Sequence, residues 1–412
     1  MPLLYDDTAP PAWMELLLKI ALSERAARLQ PSPTLAVTAR AAALKAEGKD
    51  IIGLGAGEPD FDTPEHVKEA AIRAMRAGQT KYTAVEGTLS LRKAVVDKFK
   101  RDNGLTYTTS QILVSSGGKQ SFFNLCQAIL DKGDEVVVPA PYWVSYPEIV
   151  AIADATPVMP YAGPAQHYKL TPEQLERSIS KKTRLVVINS PSNPTGMAYR
   201  KQELLAFGEV LRRHPDVLIA TDDMYEPFIW HGEPFCNILM CCPDLYERTL
   251  VLNGCSKAYA MTGWRIDYAG GPEAVIKAMG NMQSQSTSNP CSISQAAAEA
   301  ALNGSQEYVQ MMCKAFKERH DYVYGALTAM PGVSMLPADG TFYAFADFSQ
   351  AIQRFKLKDD YELCERLLVD AGVAAVAGSA FGAPGHVRMS FATSMDNLKG
   401  AMGRIAGWLQ KA

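Results

Sequence analysis

The chain has 412 residues, 47% of them hydrophobic, and a formal charge of -3, which suits a two-domain globular enzyme with ample core. That balance, without any run of basic residues, gives no support to nucleic-acid or anionic-membrane partners. The eight cysteines (126, 236, 241, 242, 255, 291, 313, 364) are scattered. They lack the paired Cys/His spacing of a metal site, so no metal is expected, and reduced thiols in a cytoplasmic protein are the natural reading.

Residues 1–22 read as an N-terminal extension. Their apolar burst, Leu16 to Leu22, is broken by Lys19 and too short to span a bilayer, and Asp6 and Asp7 suit neither a signal nor a transit peptide. A helix is expected from Pro31 to about Glu47, with Gly48 to stop it, and then a short strand at Ile51 to Leu54. The turn-rich loop Gly55 to Pro64 contains Gly57, whose backbone can approach a ligand, although a plain crossover explains the loop equally well. A helix from Pro64 to about Ala77 leads to a polar loop carrying Tyr82.

From residue 111 onward strands and helices alternate, which argues for an α/β domain with a largely parallel sheet. The strand Ile112 to Ser116 runs through Gly117, Gly118 and Lys119 into a helix expected over Ser121 to Leu130. A strand, a glycine turn and a helix start make a ready anion site, and the spacing is neither that of a Walker loop nor that of a dinucleotide fingerprint. Trp143 follows the strand Glu135 to Val138, Asn193 sits between two prolines after the strand Thr183 to Asn189, and Asp222, Asp223 and Tyr225 follow the strand Val217 to Thr221. Ligands gather at such strand ends. The apolar run Thr249 to Leu252 then leads to Lys257 among small residues, and on to Arg265. Two long helices are expected next, Glu273 to about Met282 and Ile293 to about Met330, with Asn303 and Gly304 interrupting the second. An α+β tail closes the chain, with strands at Thr341 to Ala346, Val373 to Val376 and Gly385 to Phe391, a helix at Asp359 to Ala371, and Ser394 capping the last helix.

An anion site, a lysine with space beside it, an arginine, a carboxylate, a phenol, a fixed amide and an indole form the set that pyridoxal 5'-phosphate requires. These motifs, in this order and spacing from about residue 23 to the C-terminus, resemble the class I aminotransferases of fold type I, close to bacterial aspartate aminotransferases of the prephenate-using kind. The resemblance implies a large cofactor-binding domain over residues 60–318 and a smaller discontinuous α+β domain of residues 23–59 and 319–412. It implies that Lys257 carries the cofactor, that Asp222 faces the pyridinium nitrogen, that Tyr225 and Asn193 donate to the phenolate oxygen, and that Trp143 stacks on the ring. Gly117, Gly118, Lys119, Arg265 and, from a second subunit, Tyr82 are implied for the phosphate, hence a homodimer with shared sites. Arg388 and the backbone at Gly57 are implied for the substrate α-carboxylate, and Lys119 with Ser32 and Thr34 for a distal carboxylate. Aspartate, glutamate and their 2-oxo acids are therefore the expected substrates, in a ping-pong reaction with prephenate as a further acceptor. A β-lyase, or an aminotransferase for aromatic or neutral amino acids, uses the same cofactor residues.

The chain departs from the family pattern at two positions. Asp267 stands where the family has glycine, and two readings are open for it: beside Arg265, competing with the phosphate for the guanidinium, or turned to solvent or a local backbone donor. Asp223 stands where glutamate is more usual, which leaves open which of the two aspartates faces the ring.

Overall fold

The structure is a computed structural model that describes residues 22–411, so the expected extension, Leu22 apart, lies outside the described residues. The described strands run in chain order as β1 (Ile52–Gly53), β2 (Ile112–Ser115), β3 (Glu135–Val137), β4 (Thr156–Val158), β5 (Thr183–Asn189), β6 (Leu218–Asp222), β7 (Thr249–Gly254) and β8 (Asp267–Gly270), followed by β9 (Ser334–Met335), β10 (Tyr343–Asp347), β11 (Val373–Ala374), β12 (Val376–Ala377) and β13 (His386–Ser390).

Seven of them form one sheet in the order β2-β8-β7-β6-β5-β3-β4. The pairs β3/β4, β3/β5, β5/β6 and β6/β7 are parallel, and β8 runs antiparallel to both β2 and β7. Every residue of β2, β7 and β8 is buried, as strands covered on both faces must be. Leu113, Val136, Val187 and Leu250 pack with the helix Gly118–Ile129 on one side. Val137, Val186 and Ile219 pack with the helix Lys201–Arg212 on the other. This is the α/β architecture with a mostly parallel central sheet.

A second, antiparallel sheet has the order β12-β13-β10-β9, and β1 pairs in parallel with β11. The expected strand Val373 to Val376 is thus two short strands in two different sheets. Within one continuous apolar run the hydropathy pattern cannot mark such a break. The helix Gly118–Ile129 begins three residues earlier than expected, so Lys119 lies in its first turn. The second long helix does break near Gly304, into Ser292–Asn303 and Glu307–Thr328. Ser394 caps Met395–Leu409 by accepting from the Asn397 N–H at 3.2 Å. Among the described residues no helix is long and apolar enough to cross a membrane.

The register sets side by side the ends that carry polar residues. Asn189 at the end of β5 lies opposite Asp222 at the end of β6, and Gly254 at the end of β7 lies opposite Asp267 at the start of β8.

Candidate active site

A cavity of about 370 Å³ opens at these strand ends, where open α/β sheets bind ligands. Its walls include Gly57, Gly118, Lys119, Trp143, Asn193, Asp222, Tyr225, Lys257, Arg265 and Arg388, with Ser32 and Thr34 at one side. Segments up to 356 residues apart in the chain, Ser32 and Arg388, therefore meet around one space.

Lys257 sits in the short helix Cys255–Ala258 that follows β7. Its Nζ donates to the Gly57 carbonyl at 2.6 Å. Burial pushes its amine down to about 8, and the nearby carboxylates Asp267 and Glu58 only partly oppose that shift. Asp222 ends β6, and its Oδ2 accepts from the Tyr146 hydroxyl at 2.5 Å while Oδ1 accepts from the Met224 N–H at 3.2 Å. Burial raises its carboxyl above the ordinary range, against the pull of the Tyr146 hydrogen bond. Asp223 points the other way, accepting from Thr221 Oγ1 at 2.7 Å and Asn237 Nδ2 at 2.6 Å. Of the two adjacent aspartates, Asp222 alone lines the cavity.

Tyr225 shares a 2.9 Å hydroxyl–hydroxyl hydrogen bond with Tyr343. Asn193 is fixed through its backbone N–H, which donates to Asn189 Oδ1 at 2.9 Å. Its own Oδ1 accepts from Arg388 Nη1 at 3.0 Å. Arg388, on β13, is only 2% exposed. Its Nη2 donates to the Gly55 carbonyl at 2.7 Å, and its guanidinium lies 4.6 Å from the Tyr343 ring and 4.8 Å from the Phe381 ring. Among the described residues Nε has no hydrogen-bond partner, and no carboxylate neutralises this buried cation. Lys119 Nζ stands 5.4 Å from the Trp143 ring, and burial together with the Arg265 charge lowers its amine below the ordinary value.

At the anion-binding end several of the expected groups bond within the chain. The Gly117 N–H is bonded to the Ser115 carbonyl at 2.8 Å, and Arg265 donates to the Thr262 carbonyl at 2.8 Å and the Ser116 carbonyl at 3.3 Å. Asp267 does not pair with Arg265, although both line the cavity, where burial raises the Asp267 carboxyl and the Arg265 charge opposes that rise. Of the two readings, the one that gives Asp267 backbone donors holds, without the exposure to solvent. It is 2% exposed, and its carboxylate accepts from the Gly118 N–H (2.6 Å), the Ser256 N–H (2.8 Å) and the Ser256 hydroxyl (2.7 Å). Arg265 adopts a left-handed backbone, φ 52°, just before β8, and the two side chains line one cavity without bonding to each other. Asp267 also packs on Gly254, where any Cβ would come within 1.9 Å of its carboxylate. Position 254 is therefore held to glycine by close approach.

Tyr82 is 91% exposed and contributes nothing to the cavity of its own chain. Tyr146, Ser256 and Tyr343 join the site without having been picked out from the sequence. Tyr146 and Ser256 carried a usable signal, since one lies three residues from Trp143 and the other is adjacent to Lys257. Tyr343 sits in an apolar strand and reads there as core.

Comparison with known proteins places the chain. The family model described as aminotransferase class I and II matches residues 49–405. An aspartate/prephenate aminotransferase of Nitrosomonas europaea is 59% identical over 394 residues, covering 94% of this chain and 99% of that protein. An aspartate aminotransferase of Bacillus subtilis is 47% identical, covering 95% and 99%. Among solved structures, the aspartate aminotransferase of Rhizobium meliloti superposes with a TM-score of 0.91 at 46% identity, covering 95% and 99%. That of Thermus thermophilus with maleate superposes with a TM-score of 0.89 at 45% identity, covering 94% and 99%.

Proposed function

The chain belongs to the class I and II aminotransferases, and from that premise we propose that it moves the amino group of aspartate or glutamate to a 2-oxo acid with pyridoxal 5'-phosphate as cofactor. The donor set at the ring end of the cavity suits that cofactor. Lys257 is the amine that would hold it, Asp222 the acid for its ring nitrogen, Tyr225 and Asn193 the donors for its phenolate oxygen, and Trp143 the stacking plane. Gly117, Gly118, Lys119 and Arg265, with Tyr82 of a second copy, form the phosphate end in this reading. When bound, the cofactor supplies an electron sink for the pair left at an amino acid's Cα.

The chain's own residues supply the rest. Lys257, with its amine near pH 8, is partly neutral under physiological conditions and can take and return the Cα proton. Asp222 is oriented by the Tyr146 hydroxyl and the Met224 N–H, so its charge is aimed at the ring position. Arg388 offers a planar fork to the α-carboxylate. Lys119, with Ser32 and Thr34 across the cavity, offers a second cationic point for a distal carboxylate. Two substrates use the site in turn, the first leaving as an oxo acid before the second enters, which is a ping-pong cycle.

One observation carries the substrate reading: among the described residues, a buried arginine without a carboxylate partner shares a cavity with a lysine whose amine is likewise unpaired by any acid. A desolvated cation such as Arg388 is costly unless a ligand compensates it, and a dicarboxylate compensates it while its second carboxylate meets Lys119, which stays exposed at the cavity's edge. The relatives named for aspartate and for prephenate, and the neighbour bound to maleate, agree with that chemistry. The test is a panel of amino donors against 2-oxoglutarate, oxaloacetate and prephenate. Aspartate and glutamate are expected to exceed neutral amino acids, and Lys119→Ala is expected to remove that preference. Equal turnover of a neutral donor, with Lys119→Ala leaving aspartate turnover intact, overturns the dicarboxylate assignment.

A further inference from the structure

The Gly117 and Gly118 N–H groups and the Ser256 donors at the anion-binding end are already in use. Gly118 N–H comes from the first turn of a twelve-residue helix, and Ser256 N–H and Oγ come from the turn that leads to Lys257. Three donors from two helix starts converge on one carboxylate, the geometry by which a protein binds a phosphate oxygen. The anion they hold is the protein's own Asp267. That side chain has little freedom to leave. It lies opposite Ser115 on β2 and Gly254 on β7 in the sheet register, is 2% exposed, and is packed so tightly on Gly254 that a Cβ there would overlap it. Arg265, the cation expected at this end, is turned to the carbonyls of Thr262 and Ser116.

We propose that Asp267 is a built-in occupant of the phosphate cup, so that this chain retains pyridoxal 5'-phosphate weakly and distinguishes it poorly from phosphate-free pyridoxal. The proposal rests on the cofactor reading above and deepens it. A phosphate dianion approaching Gly118 and Ser256 meets a carboxylate on the same donors, and like charges at one site disfavour each other. Pyridoxal needs Lys257 and the ring-end donors alone, and Asp267 reaches it only through its charge near Lys257, without taking any donor that pyridoxal uses. Without cofactor, the same carboxylate satisfies donors that would otherwise be buried without partners, so the residue stabilises the empty protein while it weakens the loaded one.

The test compares the wild-type apoprotein with Asp267→Gly and Asp267→Ala, the second variant keeping the measurement available if the first folds poorly. Inorganic phosphate is the first probe, read by thermal melting. Phosphate is expected to raise the melting temperature of the variants and to leave that of the wild type unchanged. The second probe is equilibrium titration with pyridoxal 5'-phosphate and with pyridoxal, followed by visible absorbance. The variants are expected to bind the phosphorylated form at least about tenfold more tightly, as removing a like charge from charge-assisted donors implies, and pyridoxal affinity to change by much less, through the loss of the Asp267 charge near Lys257. Equal stabilisation of wild type and variants by phosphate, or affinities for both vitamers that shift together, overturns the proposal. The phosphate melt decides it without any catalytic measurement. Tight cofactor binding without transamination would defeat the functional reading alone.

Discussion

At the scale of single residues, the site is governed by what burial does to charge. Arg388 is buried and Lys257 half-buried, and in both cases desolvation is the largest influence on the proton. The consequences differ because the two side chains start from different basicities. Arg388 stays charged, and Lys257 is brought to about 8, into the range where it can exchange a proton. Only the neutral amine is acylated, so limited labelling of the apoprotein with acetic anhydride is expected to rise through about pH 8 at Lys257 and well above that at surface lysines, with mass spectrometry reading each site. A Lys257 profile that tracks the surface lysines contradicts the assignment. For Arg388, substitution by leucine removes a fork of two charge-assisted hydrogen bonds to substrate. At roughly 1.5–3 kcal/mol each, their loss is expected to lower kcat/KM for aspartate by at least about 10²-fold. The melting temperature of the variant measures any structural contribution, since Arg388 also braces Asn193 and the Gly55 carbonyl.

At the scale of elements, the packing behind the sheet leaves single atoms little tolerance. Gly208, in the helix Lys201–Arg212, faces Cys242, whose Sγ would lie 2.3 Å from any Cβ at that position. Gly208→Ala would improve helix propensity on an isolated helix, yet here it is expected to destabilise the fold by about 1–3 kcal/mol through overpacking. Cys242→Ala, by removing the sulfur, is expected to recover most of that loss in the double variant, as urea midpoints would measure. The order and type of the elements around the site were legible beforehand because β2, β3, β5, β6 and β7 are short apolar runs bounded by turn residues, whereas β4 (Thr156–Val158) was not expected. The functional side chains fall on the residues just past those runs, as Asp222 and Asn193 do. What stayed hidden depends on tertiary geometry. The hydropathy of residues 373–377 does not reveal that two adjacent strands belong to different sheets, and the left-handed turn at Arg265 that sends Asp267 inward leaves no pattern in a run of eight residues. The sequence does mark position 267 as a departure. Which donors its carboxylate takes follows only from the register of β8 against β2 and β7.

At the scale of the whole molecule, the parallel pairing of β1 with β11 and the antiparallel sheet of β9, β10, β12 and β13 tie residues near 52 to residues 334–390. On that tie we propose a discontinuous smaller domain of residues 23–59 and 319–412 set against a larger one of residues 60–318; Arg388, Gly57, Lys257 and Asp222 line the same cavity. Tyr82 fits no part of this plan within one chain. It is 91% exposed, a large area of aromatic surface to leave in water, and we propose that it reaches the phosphate end of a second copy's site in a homodimer. Under that arrangement each site takes Lys257 from one chain and Tyr82 from the other. In a mixed dimer of Lys257→Ala and Tyr82→Ala chains, both lesions then fall in one site and the other site is wild type. Dissociating and reassociating the two variants together at equal amounts makes half of the dimers mixed, so about one site in four is intact, by the symmetry of a two-fold assembly. Activity per site is therefore expected to rise to about a quarter of wild type, after subtraction of what Tyr82→Ala retains alone. If Tyr82 instead serves its own chain or no site, mixing yields only the average of the two parent activities, and the shared-site arrangement is wrong.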